Sequence, residues 1–204
     1  MGFGGKSGAR GAAPLRQAGR ARVLRIIGGT WRGRKLRFPA GAAIRPTPDR
    51  VRETLFNWLG AATRGAQCLD LFAGSGALGL EALSRGAAHV TFVEHAAAAA
   101  RELRLRLAEW RAGNARVERA DALRYLAGVA QPFDIVFLDP PFAAQLLSRA
   151  ATLLEARHWL NGGALIYVEC AAREALPPLP ASWQPLKAKR AGEVGYHLFA
   201  HTAP

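Results

Sequence analysis

The chain is short of cysteine and has no long apolar run. Its 204 residues include two cysteines, Cys68 and Cys170, which lie far apart within apolar, strand-like segments. This spacing argues against a disulfide framework and against a cysteine metal site, and it indicates buried thiols in a reducing compartment. No stretch approaches the ~20 apolar residues of a membrane span, and the N-terminus lacks the apolar core of a signal peptide. We therefore expect a cytoplasmic protein without a membrane segment.

Acidic residues are scarce near the N-terminus. Residues 1–52 contain 13 of the 28 Lys and Arg residues but only one of the 15 acids, Asp49. The rest of the chain is nearly balanced in charge. Charge of one sign concentrated in this way is typical of a protein that binds a polyanion, although a tail kept charged for solubility has the same composition.

Patterns for metal binding and for nucleophilic catalysis are lacking as well. The five histidines are scattered through the sequence without the spacing of metal ligands. No Ser/His/Asp or Cys/His arrangement is recognisable. We therefore expect neither a metal site nor a nucleophilic triad, and we look for function at other residues.

Three regions differ in their patterns. Residues 1–22 are mostly Gly, Ala and Arg and cannot bury enough apolar surface to become ordered, so we predict a disordered basic tail, with a transit peptide as the second interpretation. Residues 23–63 contain two short strand-like runs and then a helix that begins with Thr47 as N-cap and Pro48 at its first position. Residues 64–204 alternate between strand and helix patterns, which favours an α/β domain with a mostly parallel sheet.

One strand pattern ends in the turn Asp139, Pro140, Pro141 and Phe142. Ligands of open α/β sheets bind at the carboxyl ends of the strands. Neither proline has an N–H, so the turn offers only acceptors, which suits a flat group that donates protons, such as the exocyclic amine of a base beside an aromatic ring. The alternative is that Asp139 caps the next helix and Phe142 fills the core.

Another strand pattern runs into a glycine turn at residues 70–76. Gly74 and Gly76 allow a ligand to approach the backbone, and the helix that follows offers N–H groups to an anion. Gly79 completes G-x-G-x-x-G, so a dinucleotide is one possible ligand. Glu94 follows the next strand pattern at the distance expected for a carboxylate that binds ribose hydroxyls.

Acids recur at the ends of the strand patterns. They are Asp70, Glu94, Asp121 and Asp139. Any one of them is explained as a helix cap or a surface charge, but four at successive carboxyl ends are improbable by chance. We predict that these carboxylates line one edge of the sheet.

Basic side chains surround Trp31 in the N-terminal region. They are Arg25, Arg32, Arg34 and Lys35, followed by Arg45, Arg50 and Arg52. Basic residues interleaved with an aromatic ring meet phosphates and base faces together, which predicts a nucleic-acid surface. Whether Trp31 contacts a base or packs into the core is left open.

Residues 70–76, Glu94 and residues 139–142 resemble the class I S-adenosylmethionine (SAM) methyltransferases that modify exocyclic amines. Residues 25–36 and 45–59 narrow the resemblance to the bacterial RsmD family, which methylates N2 of a guanine in 16S ribosomal RNA. The likeness extends from about Leu24 to Phe199. It implies a Rossmann-like fold with a seven-stranded, mostly parallel sheet, an antiparallel edge strand and a small N-terminal extension of hairpin and helix.

The resemblance implies a role for each motif. The N–H groups of Gly74, Ser75 and Gly76 would meet the methionine carboxylate of SAM, and Phe72 belongs to the same cofactor-binding turn. Asp70 would hold the amino end, Glu94 the ribose and Asp121 the adenine amine. Asp139 and Pro140 would orient the target amine with Pro141 and Phe142 beside them, and Asp139 would also border the cofactor.

The expected partner is 16S rRNA, within the small ribosomal subunit or an assembly intermediate, bound by a monomer. Alternatives are a DNA adenine-N6 or protein glutamine methyltransferase, and a non-catalytic RNA-binding protein with the same fold. The sequence leaves open which guanine is modified and whether naked RNA or an assembled subunit is the substrate.

Overall fold

The computed structural model describes residue 1 and residues 22–38, 47–141 and 144–202. The predictions for the tail before residue 22, for Arg45 and for Phe142 concern positions outside the described residues.

The described chain contains nine strands and five α-helices. The strands are β1 Arg22–Arg25, β2 Lys35–Phe38, β3 Gln67–Asp70, β4 His89–Val93, β5 Ala115–Glu118, β6 Phe133–Leu138, β7 Leu160–Ala171, β8 Trp183–Ala191 and β9 Val194–His201. The helices are α1 Asp49–Leu59, α2 Ala77–Ser84, α3 Ala97–Glu109, α4 Ala122–Leu126 and α5 Ala144–Ala156.

A seven-stranded sheet forms the centre of the fold, in the order β5-β4-β3-β6-β7-β9-β8. The first five of these strands are parallel, and β9 is antiparallel to both β7 and β8. This arrangement confirms the predicted α/β class and mostly parallel sheet. The antiparallel strand β9 lies one position inside the edge, because β8 pairs on its outer side.

The strand order reverses beside β3. From β3 the chain builds β4 and β5 on one side, and it then returns to place β6 and β7 on the other. A crevice forms where two neighbouring crossovers leave the sheet in opposite directions, and it is the usual ligand site of such folds. Asp70 pairs in register with Phe137, so the carboxyl ends of β3 and β6 meet at this crevice.

The sheet is buried on both faces. Phe137 belongs to the core cluster shared with α1, α2 and α3, whereas its neighbour Leu138 belongs to the cluster shared with α4 and α5. Successive side chains of a strand point to opposite faces, so a strand between two helical layers needs a continuous apolar sequence. This requirement accounts for the apolar run that precedes Asp139.

The N-terminal extension packs into the same core as the sheet. β1 and β2 form the predicted antiparallel hairpin, and their Leu24 and Leu36 join the cluster that contains Phe137. The predicted cap of α1 is wrong, because the helix begins at Asp49 with Pro48 in the cap position and no side-chain cap. The Thr47 hydroxyl donates to Glu169 instead, at 3.0 Å.

Glu81, on α2, anchors the extension to the rest of the fold. Its fully buried carboxylate accepts hydrogen bonds from the backbone N–H groups of Ile27 and Gly28, both at 2.8 Å. It also accepts from Arg52 Nη1 at 3.3 Å and from Arg85 Nε at 2.8 Å. A buried carboxylate requires such partners, because desolvation costs it more than any single contact returns.

The structure corrects the prediction for Arg52. Its side chain is 0% exposed, and Nη2 donates to Asp49 Oδ1 and to the Arg25 carbonyl oxygen, both at 2.7 Å. The guanidinium is thus used inside the protein and cannot face RNA. Arg52, two positions after the exposed Arg50, therefore differs from it in role, because α1 turns the two side chains to different faces.

The packing of the extension against α2 also explains why residue 29 is a glycine. Gly29 has φ +76°, and a Cβ there would lie 1.8 Å from the Ser84 carbonyl oxygen. Ser84, at the end of α2, accepts at Oγ from the Trp31 N–H and donates to the Gly28 carbonyl oxygen. Only glycine lets the chain approach the helix end this closely.

Within the described residues, no helix combines the length and apolar character needed to cross a bilayer. In the same part of the chain, no group of three or more His, Cys, Asp and Glu side chains is placed to hold a metal ion. Both cysteines are free thiols, and Cys68 is buried as predicted while Cys170 is partly exposed.

The Glu81→Ala variant tests the anchor. We expect it to lose ~3–5 kcal/mol of unfolding free energy, because it leaves the buried Arg52 with only the exposed Asp49 as its charge partner and removes the acceptor of the Ile27 and Gly28 N–H groups. The measurement is urea denaturation with linear extrapolation. Glu109→Ala is the matched control, since it breaks a surface pair with Arg106 in which the Glu109 side chain is 62% exposed. The control is expected to cost less than about 1 kcal/mol, and equal losses in both variants would contradict the anchoring role.

Candidate active site

A cavity of about 1110 Å³ opens at the carboxyl ends of the parallel strands. Its wall includes Leu71, Phe72, Gly74, Ser75, Glu94, Asp121, Asp139, Pro140 and Pro141. Most of the predicted site residues are therefore brought together, although they come from the loops after four different strands. Asp70 and Gly76 are not part of the wall among the described residues.

The glycine turn after β3 is held by bonds within the protein. Gly74 and Gly76 have φ of +50° and +74°, a left-handed conformation that favours glycine. The Gly74 N–H donates to Glu94 Oε2 at 2.8 Å, and the Gly76 N–H donates to the Ala73 carbonyl oxygen at 2.6 Å. The prediction that all three N–H groups of this turn face a ligand carboxylate therefore needs correction, because two already have acceptors.

Glu94 fixes the turn and also borders the cavity. Its Oε1 accepts from the Ala96 N–H at 2.6 Å, while its Oε2 accepts from Gly74. The side chain is buried, and it lines the cavity. Each carboxylate oxygen has two lone pairs, so Glu94 can still accept hydrogen bonds from two hydroxyl groups of a ligand.

Asp121 both caps a helix and lines the cavity. It is the N-cap of α4, and its Oδ1 accepts from the Arg124 N–H at 3.0 Å. It is also exposed and lines the cavity. The cap uses one of the two carboxylate oxygens, which leaves the other able to bind an amine donor.

Asp70 lies behind the cavity rather than in its wall. The side chain is 3% exposed, and Oδ2 accepts from the Gly79 N–H in the first turn of α2 at 3.0 Å. Burial raises the pKa of Asp70 to about 7, against the Gly79 hydrogen bond and with a contribution from Glu94 and Glu169. Asp70 therefore holds α2 against β3, and it does not line the cavity in which the predicted contact with a ligand amine would form.

The corner after β6 combines Asp139 with a second acid. Asp139 is partly exposed, Pro140 is buried and Pro141 is exposed. Thr47 Oγ1 lies 3.4 Å from Asp139 Oδ2 and 3.0 Å from Glu169 Oε1. One hydroxyl proton serves one acceptor at a time, so the shorter contact to Glu169 is the stronger bond.

Glu169 was not among the predicted site residues. It follows Val168, which pairs in register with Leu138, so Glu169 lies beside Asp139 on the neighbouring strand. Its Oε1 also accepts from the Tyr167 hydroxyl at 2.8 Å. The signal that identified the other acids, a carboxylate at the end of a strand pattern, was present here as well.

The carboxyl groups at this edge of the sheet perturb one another. Burial raises the pKa of Asp139 well above its usual value, the charges of Glu169 and Asp70 add to the effect, and the Thr47 hydrogen bond opposes it. Burial raises the pKa of Glu169 to about 7 against the hydrogen bonds from Tyr167 and Thr47. Carboxyl groups that are desolvated close to one another tend to bind a proton or a cationic ligand, because either one removes the repulsion between them.

The cavity as a whole is acidic. Its described lining holds six acidic side chains, against one arginine, Arg106, and one histidine, His95. A pyrophosphate would be repelled by this lining, whereas a cation would be attracted. The dinucleotide alternative from the glycine pattern is therefore disfavoured.

The basic surface lies next to the cavity. The side chains that remain exposed are Arg25, Arg32, Arg34, Lys35 and Arg50. Leu36 of β2 and Thr47 both line the cavity, which places the hairpin at its rim.

Trp31 packs against the protein. Its ring meets Trp110 edge-on at 5.1 Å, and the Arg34 guanidinium lies 5.9 Å from the Trp31 centroid. These contacts cover part of the ring, which is partly buried. They favour the packing alternative left open by the sequence, in which Trp31 supports the surface without stacking on a base.

Known proteins resemble the chain over most of its length. A family model described as conserved hypothetical protein 95 matches residues 24–200. The ribosomal RNA small subunit methyltransferase D of Escherichia coli (strain K12) is 53% identical over 180 residues, which covers 88% of this chain and 91% of that protein.

Solved structures resemble it as well. A putative methyltransferase, yhhF, from Escherichia coli has a TM-score of 0.83 and 50% identity, covering 90% of this chain and 100% of that chain. A 16S rRNA N2 guanine methyltransferase from Thermus thermophilus, in complex with AdoMet and guanosine, has a TM-score of 0.64 and 28% identity. The match covers 94% of this chain and 52% of that chain.

The raised pKa of Asp70 predicts a pH-dependent stability. Between its unfolded pKa near 3.8 and its folded pKa of about 7, the folded state holds a proton that the unfolded state has released. The free energy of unfolding therefore falls as pH rises through this window. Asp70→Asn removes the titration but keeps an oxygen that can accept from the Gly79 N–H.

We expect Asp70→Asn to gain on the order of 4 kcal/mol relative to the unsubstituted protein between about pH 4 and about pH 8, since each unit of raised pKa corresponds to about 1.4 kcal/mol. The measurement is urea denaturation of both proteins across that range without added ligand. Using the difference between the two proteins cancels the titration of the groups that do not interact with Asp70. A difference that stays constant with pH would contradict the raised pKa.

Proposed function

This chain belongs to the conserved hypothetical protein 95 family, the RsmD methyltransferases, and from that premise we propose that it methylates the exocyclic N2 amine of a guanine in 16S ribosomal RNA. It is a SAM-dependent methyltransferase that acts on rRNA. The observation that carries the finer proposal is the corner of Asp139 and Pro140 in the wall of an acidic cavity beside a basic surface.

The residues fit SAM. A sulfonium cation is stabilised by the acidic lining, which includes carboxyls whose pKa values are raised when no cation is near them. Glu94 can accept hydrogen bonds from ribose hydroxyls, and Asp121 can accept from the adenine amine. When bound, SAM supplies a methyl group activated by its positively charged sulfur.

The corner after β6 orients the target amine. The lone pair of a guanine amine is delocalised into the ring, so the amine is a poor nucleophile until it is held in a suitable direction. The Asp139 carboxylate and the Pro140 carbonyl oxygen accept from its two N–H groups, because a turn of two prolines presents only acceptors to the ligand. Holding the nitrogen in line with the methyl carbon supplies much of the rate.

Asp139 also provides for the proton that the amine loses. As the N–C bond forms and the C–S bond breaks, the amine nitrogen becomes acidic and gives one proton to the Asp139 carboxylate. A carboxylate with a raised pKa holds such a proton better than an ordinary aspartate, so the desolvation of Asp139 serves the transfer. Phe142 remains the proposed stacking partner of the base.

A guanine N2 target is supported by the chemistry of the corner and by a solved relative. A 16S rRNA N2 guanine methyltransferase shares 28% identity across 94% of this chain. A guanine in an RNA helix must leave the base stack to reach a cavity of this depth. The exposed basic residues at the rim, from Arg25 to Arg50, would bind phosphates beside the extruded base.

A panel of substrates tests the activity. With isotopically labelled SAM, we expect methyl transfer to 16S rRNA or to small ribosomal subunits from cells that lack the gene, and none to duplex DNA or to release factors. Mass spectrometry of the labelled nucleoside is expected to identify N2-methylguanosine. Label that enters only DNA or protein, or a different methylated nucleoside, would refute the proposal.

The negative control for this panel is Asp139→Ala. It should abolish transfer, while calorimetry should show SAM affinity within about tenfold of the unsubstituted protein. Lost SAM binding would mean that Asp139 holds the cofactor instead of the target amine.

The basic surface predicts a salt-dependent RNA affinity. The double variant Arg32→Glu with Lys35→Glu should weaken RNA binding and reduce the slope of log affinity against log salt by about one for each phosphate that the protein no longer neutralises. Filter binding over a salt series measures both quantities. Arg149→Glu with Arg157→Glu is the matched control, because these residues lie on or beside α5, away from the hairpin. Equal reductions in both double variants would place the RNA surface elsewhere.

A further inference from the structure

A buried glutamate stands beside the proposed catalytic corner without a role in methyl transfer. Glu169 is 4% exposed, yet it lines the cavity together with Asp139 and Pro140. Its Oε1 accepts from both Thr47 and Tyr167, so two neutral hydroxyls fix the carboxylate in one orientation. Burying an ionised carboxylate in one orientation destabilises the folded protein, so its presence in the cavity wall indicates that it binds a ligand.

We propose that Glu169 is a specificity residue that accepts a hydrogen bond from the N1–H of the target guanine while Asp139 accepts from its N2 amine. The inference rests on the proposed guanine-N2 activity and adds the means by which the base is chosen. Glu169 and Asp139 each follow one member of the in-register pair Val168 and Leu138, and the Thr47 hydroxyl lies 3.0 Å from Glu169 Oε1 and 3.4 Å from Asp139 Oδ2. Two carboxylates that share one hydroxyl in this way are close enough to accept from two neighbouring donors on one edge of a base.

Guanine alone among the common bases presents that pair of donors. Its Watson–Crick edge has the N1–H next to the N2 amine, whereas adenine and cytosine place a ring nitrogen lone pair next to their amine. An ionised Glu169 would face that lone pair without a proton between them. A site built around a hydrogen bond to the substrate rejects analogues that lack the donor, because its own polar group is left unpaired.

Thr47 connects this recognition to the N-terminal extension. Its hydroxyl lies within 3.4 Å of both carboxylates and donates to Glu169. Thr47 and Tyr167 are both buried and supply hydrogen bonds that favour the ionised form of Glu169, while burial acts in the opposite direction on its pKa. The N-terminal extension, which carries the basic surface, therefore also orients the Glu169 carboxylate that would accept from the base.

The test uses a base that keeps the reactive amine but lacks N1–H. In 2,6-diaminopurine the amine at C2 is present and N1 carries a lone pair. We would ligate 16S rRNA that carries either guanine or 2,6-diaminopurine at the nucleotide modified by the enzyme and assemble it into the form that the enzyme accepts. The kcat/KM for methyl transfer is then compared between the two substrates.

The unsubstituted enzyme should prefer guanine by about 10- to 100-fold, the discrimination typical of a specific base contact. In Glu169→Gln, the amide can donate to the N1 lone pair of diaminopurine, so the preference should fall to near one or reverse. Glu174→Gln is the matched control at an exposed glutamate, and it should keep the full preference. SAM affinity should stay within about tenfold of the unsubstituted protein in both variants, because Glu169→Gln removes one of the six acids that line the cavity.

The outcomes separate this inference from the activity itself. If the unsubstituted enzyme methylates no guanine in RNA, the proposed function fails. If it methylates guanine and diaminopurine equally well, the function stands and the specificity role of Glu169 is refuted. If Glu169→Gln slows both substrates by the same factor, or loses SAM, Glu169 is a structural or cofactor residue. Should that variant not fold, equal rates of the unsubstituted enzyme on the two substrates would still refute the role, and Glu169→Asp, whose shorter carboxylate cannot reach N1–H, should lose the preference for guanine if the role is correct.

Discussion

The buried carboxylate of Glu81 is the constraint on which the arrangement of the site depends. It gathers the backbone of Ile27 and Gly28, the guanidinium of Arg52 and the side chain of Arg85 at one point on α2. The same helix begins at the glycine turn that borders the cavity. One hydrogen-bonded centre therefore fixes the basic extension relative to the cofactor side of the protein. Together with the Thr47 bond to Glu169 and the packing of Leu36 in the core, it holds these two residues at the cavity rim.

Stability and function oppose each other at the carboxyl end of the sheet. Asp70, Asp139 and Glu169 are desolvated near one another, and burial raises the pKa of each. Such a group of acids weakens the folded state wherever it must ionise without a positive partner. The same feature suits a cationic methyl donor and a base that donates protons. The fold tolerates the cost because two apolar clusters bury both faces of the sheet.

The sequence predicted the positions of those site residues that are set by their neighbours along the chain. Asp139 and Glu94 were found from their positions at the ends of apolar runs, and the structure places both in the cavity wall. The predicted roles were wrong for residues whose contacts lie far away in the sequence. Arg52 has the composition of a phosphate ligand, but Glu81, 29 positions away, takes its charge into the core. Thr47 has the pattern of a helix cap, but its partner Glu169 lies 122 positions away.

Local periodicity and composition were enough to establish the α/β class, the acids at the strand ends and the concentration of positive charge near the N-terminus. Which of those charges remain available to ligands depends on the tertiary structure. It turned Arg52 inward, placed Asp70 behind the cavity wall, used the Gly74 N–H for Glu94 and brought Glu169 beside Asp139. The physical reason is that desolvation and pairing of a charged group depend on what packs around it, and that packing comes from segments far apart in the chain.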